Sequence, residues 1–374
     1  MNQSTPALLV ETEQDWNLSH KDGWFQMVTA PARTRPVRLS RAEIERLAQA
    51  EALQYREERS AWHANLGPIR TPQIAAIFET LEELCGANRQ DGEKVKPAAV
   101  LDALPGLGKS TAAVAFGKAF HREQISLYGP EIHADGGRWD RVPVAYLGLT
   151  SKTTMRSLNL MLCRFYGLPG IERANAERLA HRAAGCVGSC KTRLIIVDDV
   201  HFLDMASRDG REVANHFKWL ANIFPVTFLF VGVGLRARGL LGEGLYGTDA
   251  VYSQTARRWS VLDLAPFQMR TRADRATWRA LLLSIERDLI LAEAEPGIVA
   301  EDLADYLFAR CTGHFASLMS LINRGCYRAI RTGTEKLTED LLEHVRIDEA
   351  AETARREIAA RIPTQRTRPA RGTR

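Results

Sequence analysis

The sequence predicts an α/β fold: a parallel five-stranded sheet flanked by helices, with an all-helical C-terminal block and a helical N-terminal extension. Three observations predict it. Apolar runs alternate with helix-patterned segments between residues 97 and 264, as in a parallel sheet covered on both faces. The first run leads into the turn Ala103-Leu104-Pro105-Gly106-Leu107-Gly108-Lys109-Ser110-Thr111, and a helix pattern follows it. A later run, Leu194 to Val197, ends in the acid pair Asp198-Asp199.

The elements follow in order. Residues 1–38 read as irregular, broken by Pro31 and Pro36 and carrying Arg33, Arg35 and Arg38. Ser40 and Glu43 form a capping box, and helical patterning runs from Arg41 to about Asn65. Thr71-Pro72 opens an amphipathic helix through Ile74, Ile77, Phe78, Leu81 and Leu84. Strands are expected at Pro97–Leu104, Val142–Leu149, Arg193–Asp199, Val226–Gly232 and Ser260–Leu264. Helices are expected over Thr111–Phe120, through Leu158–Phe165, and at 271–292, 299–311, 315–332 and 338–358. Four segments result: an extension at 1–68, an α/β domain at 69–265, a helical lid at 266–358 and a basic tail at 359–374.

The glycine-rich turn carries the chemistry. A loop of this kind points successive backbone N–H groups into one concavity at a helix N-terminus, where the helix dipole also favours an anion. Pro105, Gly106, Leu107, Gly108, Lys109, Ser110 and Thr111 are therefore the candidate phosphate-binding residues, with Lys109 reaching the β- and γ-phosphates and the Ser110 hydroxyl on Mg²⁺. Ala103 stands where the usual pattern opens with glycine. A Gly-Lys-Ser turn without nucleotide is the bland alternative. Ligands in such sheets lie beyond the carboxyl ends of the strands, which puts Asp198 and Asp199 near the turn. Asp198 suits the Mg²⁺ shell, through water, and Asp199 suits orientation of an attacking water. Aspartate at 199 is one methylene shorter than the glutamate many ATPases carry there, which predicts slow hydrolysis. Gln254-Thr-Ala-Arg257-Arg258-Trp259 precedes the fifth strand; its arginines suit either charge neutralisation at a γ-phosphate across a subunit boundary or ordinary cation placement at a helix C-terminus.

The order of phosphate loop, Asp-Asp strand, Arg-Arg-Trp and helical lid resembles AAA+ ATPases. Tyr55-Arg56-Glu-Glu-Arg59 with His63, Arg70-Thr71-Pro72, Gly313-His-Phe-Ala-Ser-Leu318 and Ala329-Ile330-Arg-Thr-Gly333-Thr-Glu335-Lys-Leu-Thr338 narrow the resemblance to TniB/TnsC-type regulators of DNA transposition, over residues 40 to 348. The resemblance implies ATP and Mg²⁺ as cofactors and assembly into rings or filaments on double-stranded DNA. It also implies recruitment of a transposase to the coated target. By position it makes Arg258 the trans finger with Arg257 in reserve, and it places Ser151-Lys152-Thr153-Thr154-Met-Arg156 facing DNA. Lys152, Thr153, Thr154 and Arg156 suit phosphate contacts; a solvated helix start capped by Ser151 is the alternative. Departures from the pattern are Ala103, the lack of a polar sensor in Phe230-Val-Gly232-Val-Gly234 unless Thr227 or a nearby loop supplies it, and a lid with no arginine between His314 and Arg324. His201 reads as a helix-start residue rather than a catalyst. These departures point to a switch that holds ATP rather than a processive motor.

The bulk properties agree with that frame. The chain has 374 residues, 45% hydrophobic and 25% charged, with net charge +5, a mild bias toward polyanions. No apolar stretch approaches the roughly 20 residues that span a bilayer, and Met1-Asn-Gln-Ser-Thr lacks a signal-peptide pattern, so a cytoplasmic protein without a membrane partner is expected. The six cysteines are scattered, and Cys186-x-x-x-Cys190 lacks a second metal-type pair, which favours reduced structural thiols over zinc. The tail from Arg361 to Arg374 carries Arg361, Arg366, Arg368, Arg371 and Arg374 and no acid, and is expected to be disordered, serving nucleic acid, a partner or solubility. Rival readings with the same motifs are a helicase-loader or replication-initiator-like ATPase and a nucleotide-switch signalling ATPase without DNA. A small-molecule kinase would want a substrate lid within the sheet domain, and the helical C-terminal block argues against it.

Overall fold

The computed structural model describes residues 16–90, 96–134, 137–150, 153–202, 208–224, 226–236 and 259–361. Contacts within the chain divide these residues into two units: a sheet unit, 16–33 with 70–265, and a helical unit, 34–69 with 266–361. The stretch 1–68, read from sequence as one extension, is thus shared between them.

The sheet unit is built on a five-stranded parallel sheet: β1 (Ala98–Ala103), β4 (Val144–Gly148), β5 (Leu194–Asp198), β6 (Thr227–Gly232) and β7 (Trp259–Leu264). Their spatial order is β4–β5–β6–β1–β7, so β6 separates the strand leading to the glycine-rich turn from the strand carrying the acids. Every residue of β5 and β6 is buried, which explains why these strands read as continuous apolar runs without alternation. Helices α4 (Pro72–Ala87), α5 (Lys109–Tyr128), α6 (Met155–Phe165), α7 (Ala176–Ser189) and α8 (Arg208–Ile223) belong to this unit. From α5, Ala112, Ala113, Phe116 and Phe120 enter its core, and Gly117 lies against Ile196 of β5.

Several elements here have no counterpart among the expected ones, α7 and α8 included. Helix α1 (Lys21–Thr29) lies in the stretch expected to be irregular, and buries Trp24, Met27 and Val28. Nine residues with an internal Gly23, ending just before Pro31, give too short a window for helical periodicity to register. Strands β2 (Glu131–Ala134) and β3 (Gly137–Asp140) form a separate antiparallel hairpin after α5, where no strand was expected.

The helical unit contains α2 (Arg41–Arg46), α3 (Gln49–Ala64), α9 (Arg272–Arg287), α10 (Ala304–Cys311), α11 (Phe315–Thr332), α12 (Glu339–Glu343) and α13 (Glu349–Arg361). The single helix expected from Arg41 to Asn65 is broken, because Leu47 and Ala48 are extended and Glu51 starts a new helix by accepting from the Ala48 amide at 2.9 Å. The segment expected at 271–292 stops at Arg287, and the one at 338–358 divides into α12 and α13. Trp278, Leu282, Leu307, Leu318 and Ile322 form the centre of this unit. Side chains from α3 fasten the N-terminal part to it. Arg59, 2% exposed, pairs bidentately with Glu335 at 2.6 and 3.1 Å; Trp62 Nε1 donates to Asp288 O at 2.7 Å; and His63 Nε2 accepts from the Ile290 amide at 3.0 Å. Burial pushes His63 down to about 4, so it accepts as neutral imidazole at physiological pH. All six cysteines are free thiols.

Candidate nucleotide site

The site forms where β1 hands over to α5. Gly106 and Gly108 adopt left-handed φ values of 74° and 88°, which a Cβ-bearing residue would resist, and Gly108 is the N-cap of α5. No side chain caps this helix, so its first amides remain open to an incoming anion. Ala103 ends β1 without disturbing this geometry, since the turn's left-handed positions come after it. Lys109 is 9% exposed, and its Nζ donates to Leu104 O at 2.7 Å, folding the ammonium back over the loop. Burial lowers its pKa, while the carboxylates of Asp198, Asp102 and Asp199 oppose that shift. The lysine and the acid pair, ninety positions apart in sequence, therefore share one electrostatic neighbourhood.

Asp198 closes β5 and is 3% exposed. Its Oδ1 accepts from the Asp199 amide at 2.8 Å and its Oδ2 from the Tyr146 hydroxyl at 3.0 Å. Asp199 leaves the strand at φ 58°, a left-handed value that aspartate tolerates better than most residues. Burial and then the neighbouring Asp198 raise its pKa, against opposing pulls from His201 and Lys109. A raised carboxyl pKa makes ionisation unfavourable to the folded state, so that cost is absent below the ordinary value of 3.8 and present above the raised one. Asp199→Asn, which keeps the backbone tolerance, is expected to raise the melting temperature slightly at pH 7, by less than about 3 °C, and to leave it unchanged near pH 3. Differential scanning fluorimetry across that range checks it. His201 sits in a 3₁₀ turn over Val200–Phe202, with Nδ1 3.9 Å from Asp199 Oδ1. That position fits its reading as a helix-start residue.

The candidates distribute unevenly. Ser110 and Thr111 lie in the first turn of α5, beside Lys109. Thr227 opens β6, at the end of the strand remote from the loop, and its hydroxyl accepts from Asn88 Nδ2 at 2.9 Å; it is excluded as a sensor. The loop after β6 carries Arg236. Its amide donates to Asp102 Oδ2 at 3.0 Å and its guanidinium grips Asp263 at 2.9 and 3.1 Å, tying that loop to the ends of β1 and β7. Arg257 and Arg258 lie outside the described residues, as do Ser151 and Lys152. Thr153 is buried and donates to Thr150 O at 2.7 Å, and Thr154 is the N-cap of α6, where the alternative sequence reading had Ser151 as the cap. Arg156 is exposed and donates to Glu172 O at 2.8 Å. Arg324 donates to Arg346 O at 2.7 Å within the helical unit. The sequence reading missed Tyr146, Asp102 and Arg236.

Sheet order, loop and acid-ended interior strand define a P-loop fold of the AAA+ type. Residues 93–241 match the family model described as AAA domain. Among solved structures, the chain is similar to the Aeropyrum pernix ORC1 protein in complex with DNA, at 15% identity over 78% of this chain and 66% of that one, with a TM-score of 0.54. It thus spans just under two thirds of that protein's chain. The Aeropyrum pernix ORC2 protein in ADPNP–ADP complexes matches at 15% identity over 77% and 71%, with a TM-score of 0.55. Drosophila ORC bound to DNA matches at 13% over 87% and 72%, with a TM-score of 0.50. At these identities the likeness is one of fold. No curated protein matches the sequence. No helix among the described residues is long and apolar enough to cross a membrane.

Proposed function

We propose that this chain is a slow ATPase that assembles in its ATP state on double-stranded DNA and marks that DNA as a transposition target for a transposase. The observation that carries the nucleotide part is the convergence of Lys109, with the open N-terminus of α5, on the buried Asp198 and its neighbour Asp199. Backbone amides of 105–111 would hold the phosphates. Ser110 and Asp198 would hold Mg²⁺, which neutralises charge on the phosphates when bound. Asp199 would orient the attacking water from its half-buried position just past the strand end. Arg258, with Arg257 in reserve, would stabilise the γ-phosphate from a neighbouring copy. On the DNA side, Lys152 and Arg156 remain the candidates for phosphate contacts, whereas Thr153 and Thr154 are already engaged in the protein's own hydrogen bonds. The net charge of +5 supports a polyanionic partner.

A replication-initiator-like ATPase is the second reading, supported by the fold shared with ORC proteins solved on DNA. One experiment separates the two. The protein is mixed with duplex DNA and ATP, ADP or a slowly hydrolysed analogue and imaged by negative stain. Ordered rings or filaments coating DNA in the triphosphate state are expected; isolated particles at a few sites favour the initiator reading, and no DNA association overturns both. Arg258→Ala is expected to keep ATP binding and lose about a thousandfold in hydrolysis. If only Arg257→Ala does so in a phosphate-release assay, the finger is Arg257.

A further inference from the structure

Helix α1 lies outside the residues matched by the AAA domain model, yet it reaches the end of β5 through two aromatic rings. In the β4–β5 register Tyr146 pairs with Ile196 and Gly148 with Asp198, so Tyr146 and Asp198 are diagonal neighbours on one face. Gly148, directly opposite Asp198, has no side chain; a Cβ there would stand 4.0 Å from Tyr146 Cε1, and a larger group would enter the space the phenol crosses. With Tyr146 on Oδ2 and the Asp199 amide on Oδ1, the carboxylate plane of Asp198 is held from both oxygens. Burial drives the Tyr146 pKa upward, so the hydroxyl stays protonated and donating.

Trp24 stands behind the phenol. The two rings stack with centroids 6.3 Å apart and planes 14° apart, and Trp24 is 0% exposed. The indole reaches this position across α5 at Gly117, where a Cβ would come within 2.9 Å of Trp24 Cη2 and 2.7 Å of Ile196 Cδ1. Its Nε1 donates to His121 Nδ1 at 3.1 Å, which fixes the indole's rotation. Burial pushes His121 down to about 4, so this nitrogen is an available acceptor at neutral pH. Thus a chain of contacts runs from α5 and α1 through Tyr146 to the metal-side carboxylate.

We propose that Tyr146 is a positioning residue for Asp198 and that Trp24 holds Tyr146 in place, so that α1 sets how strongly the nucleotide site takes a divalent cation. This rests on the nucleotide reading above. Partners that orient a metal-binding carboxylate typically contribute 10–100-fold to metal affinity. Held at both oxygens, the Asp198 carboxylate has little freedom to rotate.

The test uses the full chain with ATP and Mn²⁺ as the probe, free Mn²⁺ being read by electron paramagnetic resonance. Metal-free ATP binding in EDTA serves as the control. Tyr146→Phe is expected to weaken Mn²⁺ binding about tenfold while leaving the metal-free ATP affinity unchanged. Trp24→Leu, or Trp24→Phe should the first not fold, is expected to weaken Mn²⁺ about threefold and to add nothing in the Tyr146→Phe background. An unchanged Mn²⁺ constant in Tyr146→Phe overturns the positioning role. A Trp24 effect that persists at full size in the double variant overturns the coupling through Tyr146. Absence of ATP-dependent Mn²⁺ binding in the unsubstituted chain overturns the nucleotide reading, and this inference with it.

Discussion

Lys109→Ala is expected to abolish triphosphate-dependent assembly and to weaken ATP binding by about 3 kcal/mol, roughly 150-fold. The ammonium is the strongest donor at the turn, and it is already placed: Nζ lies over the loop, 2.7 Å from Leu104 O, in a spot that admits little water. An incoming phosphate offers a charged acceptor in place of that neutral carbonyl, so little reorganisation opposes binding. Removing the side chain leaves the amides of the α5 N-terminus in place, which is why residual weak binding is expected rather than none. Stability should change little, because the one hydrogen bond lost is to a carbonyl on an exposed turn residue. Equilibrium titration with a fluorescent ATP analogue measures the first effect, and imaging on DNA measures the second. Wild-type affinity in this variant would remove the loop from the site.

The parts of the fold legible in the sequence were those set by local chemistry. Strands β1, β5 and β6 announce themselves because both faces are buried, and the loop does so because its glycines take conformations other residues avoid. The N-cap at Ser40 was readable because its capping box spans only Ser40 to Glu43. What stayed hidden depends on tertiary partners. Trp24 looks like any aromatic in a short segment ahead of Pro31 until its burial against Tyr146 and His121 is visible. Tyr146 is one hydroxyl in an apolar strand, and nothing local ties it to an acid fifty-two positions later. Thr227 illustrates the converse. It lies in the right strand for a sensor, but direction along a parallel strand decides which end meets the phosphate loop, and it lies at the other end. Arg236 takes part in the strand-end cluster only through the loop that turns back after β6.

Arg310→Met is expected to destabilise the helical unit by about 3–5 kcal/mol, the largest stability effect of any single exchange considered. Sequence offers no warning, since Arg310 occupies the last turn of a short helix, where a cation is ordinary. Its surroundings are not ordinary. The side chain is 2% exposed, and it donates to Leu342 O at 2.9 Å, Val345 O at 2.7 Å and the Tyr306 hydroxyl at 2.7 Å. Its Nη2 also meets Glu352 Oε1 at 3.3 Å, so one guanidinium joins α10 to the end of α12 and to α13. Methionine fills much of the volume but donates nothing, leaving two carbonyls and a largely buried carboxylate without their cation. Lysine is not expected to restore the unit, because a single ammonium lacks the planar fork that serves these acceptors together. A fall in melting temperature of about 10 °C in Arg310→Met, with early protease cleavage near α13, is the expected result. A loss under about 1 kcal/mol would mean that water enters and satisfies the carbonyls, and that the guanidinium is dispensable to this corner of the fold.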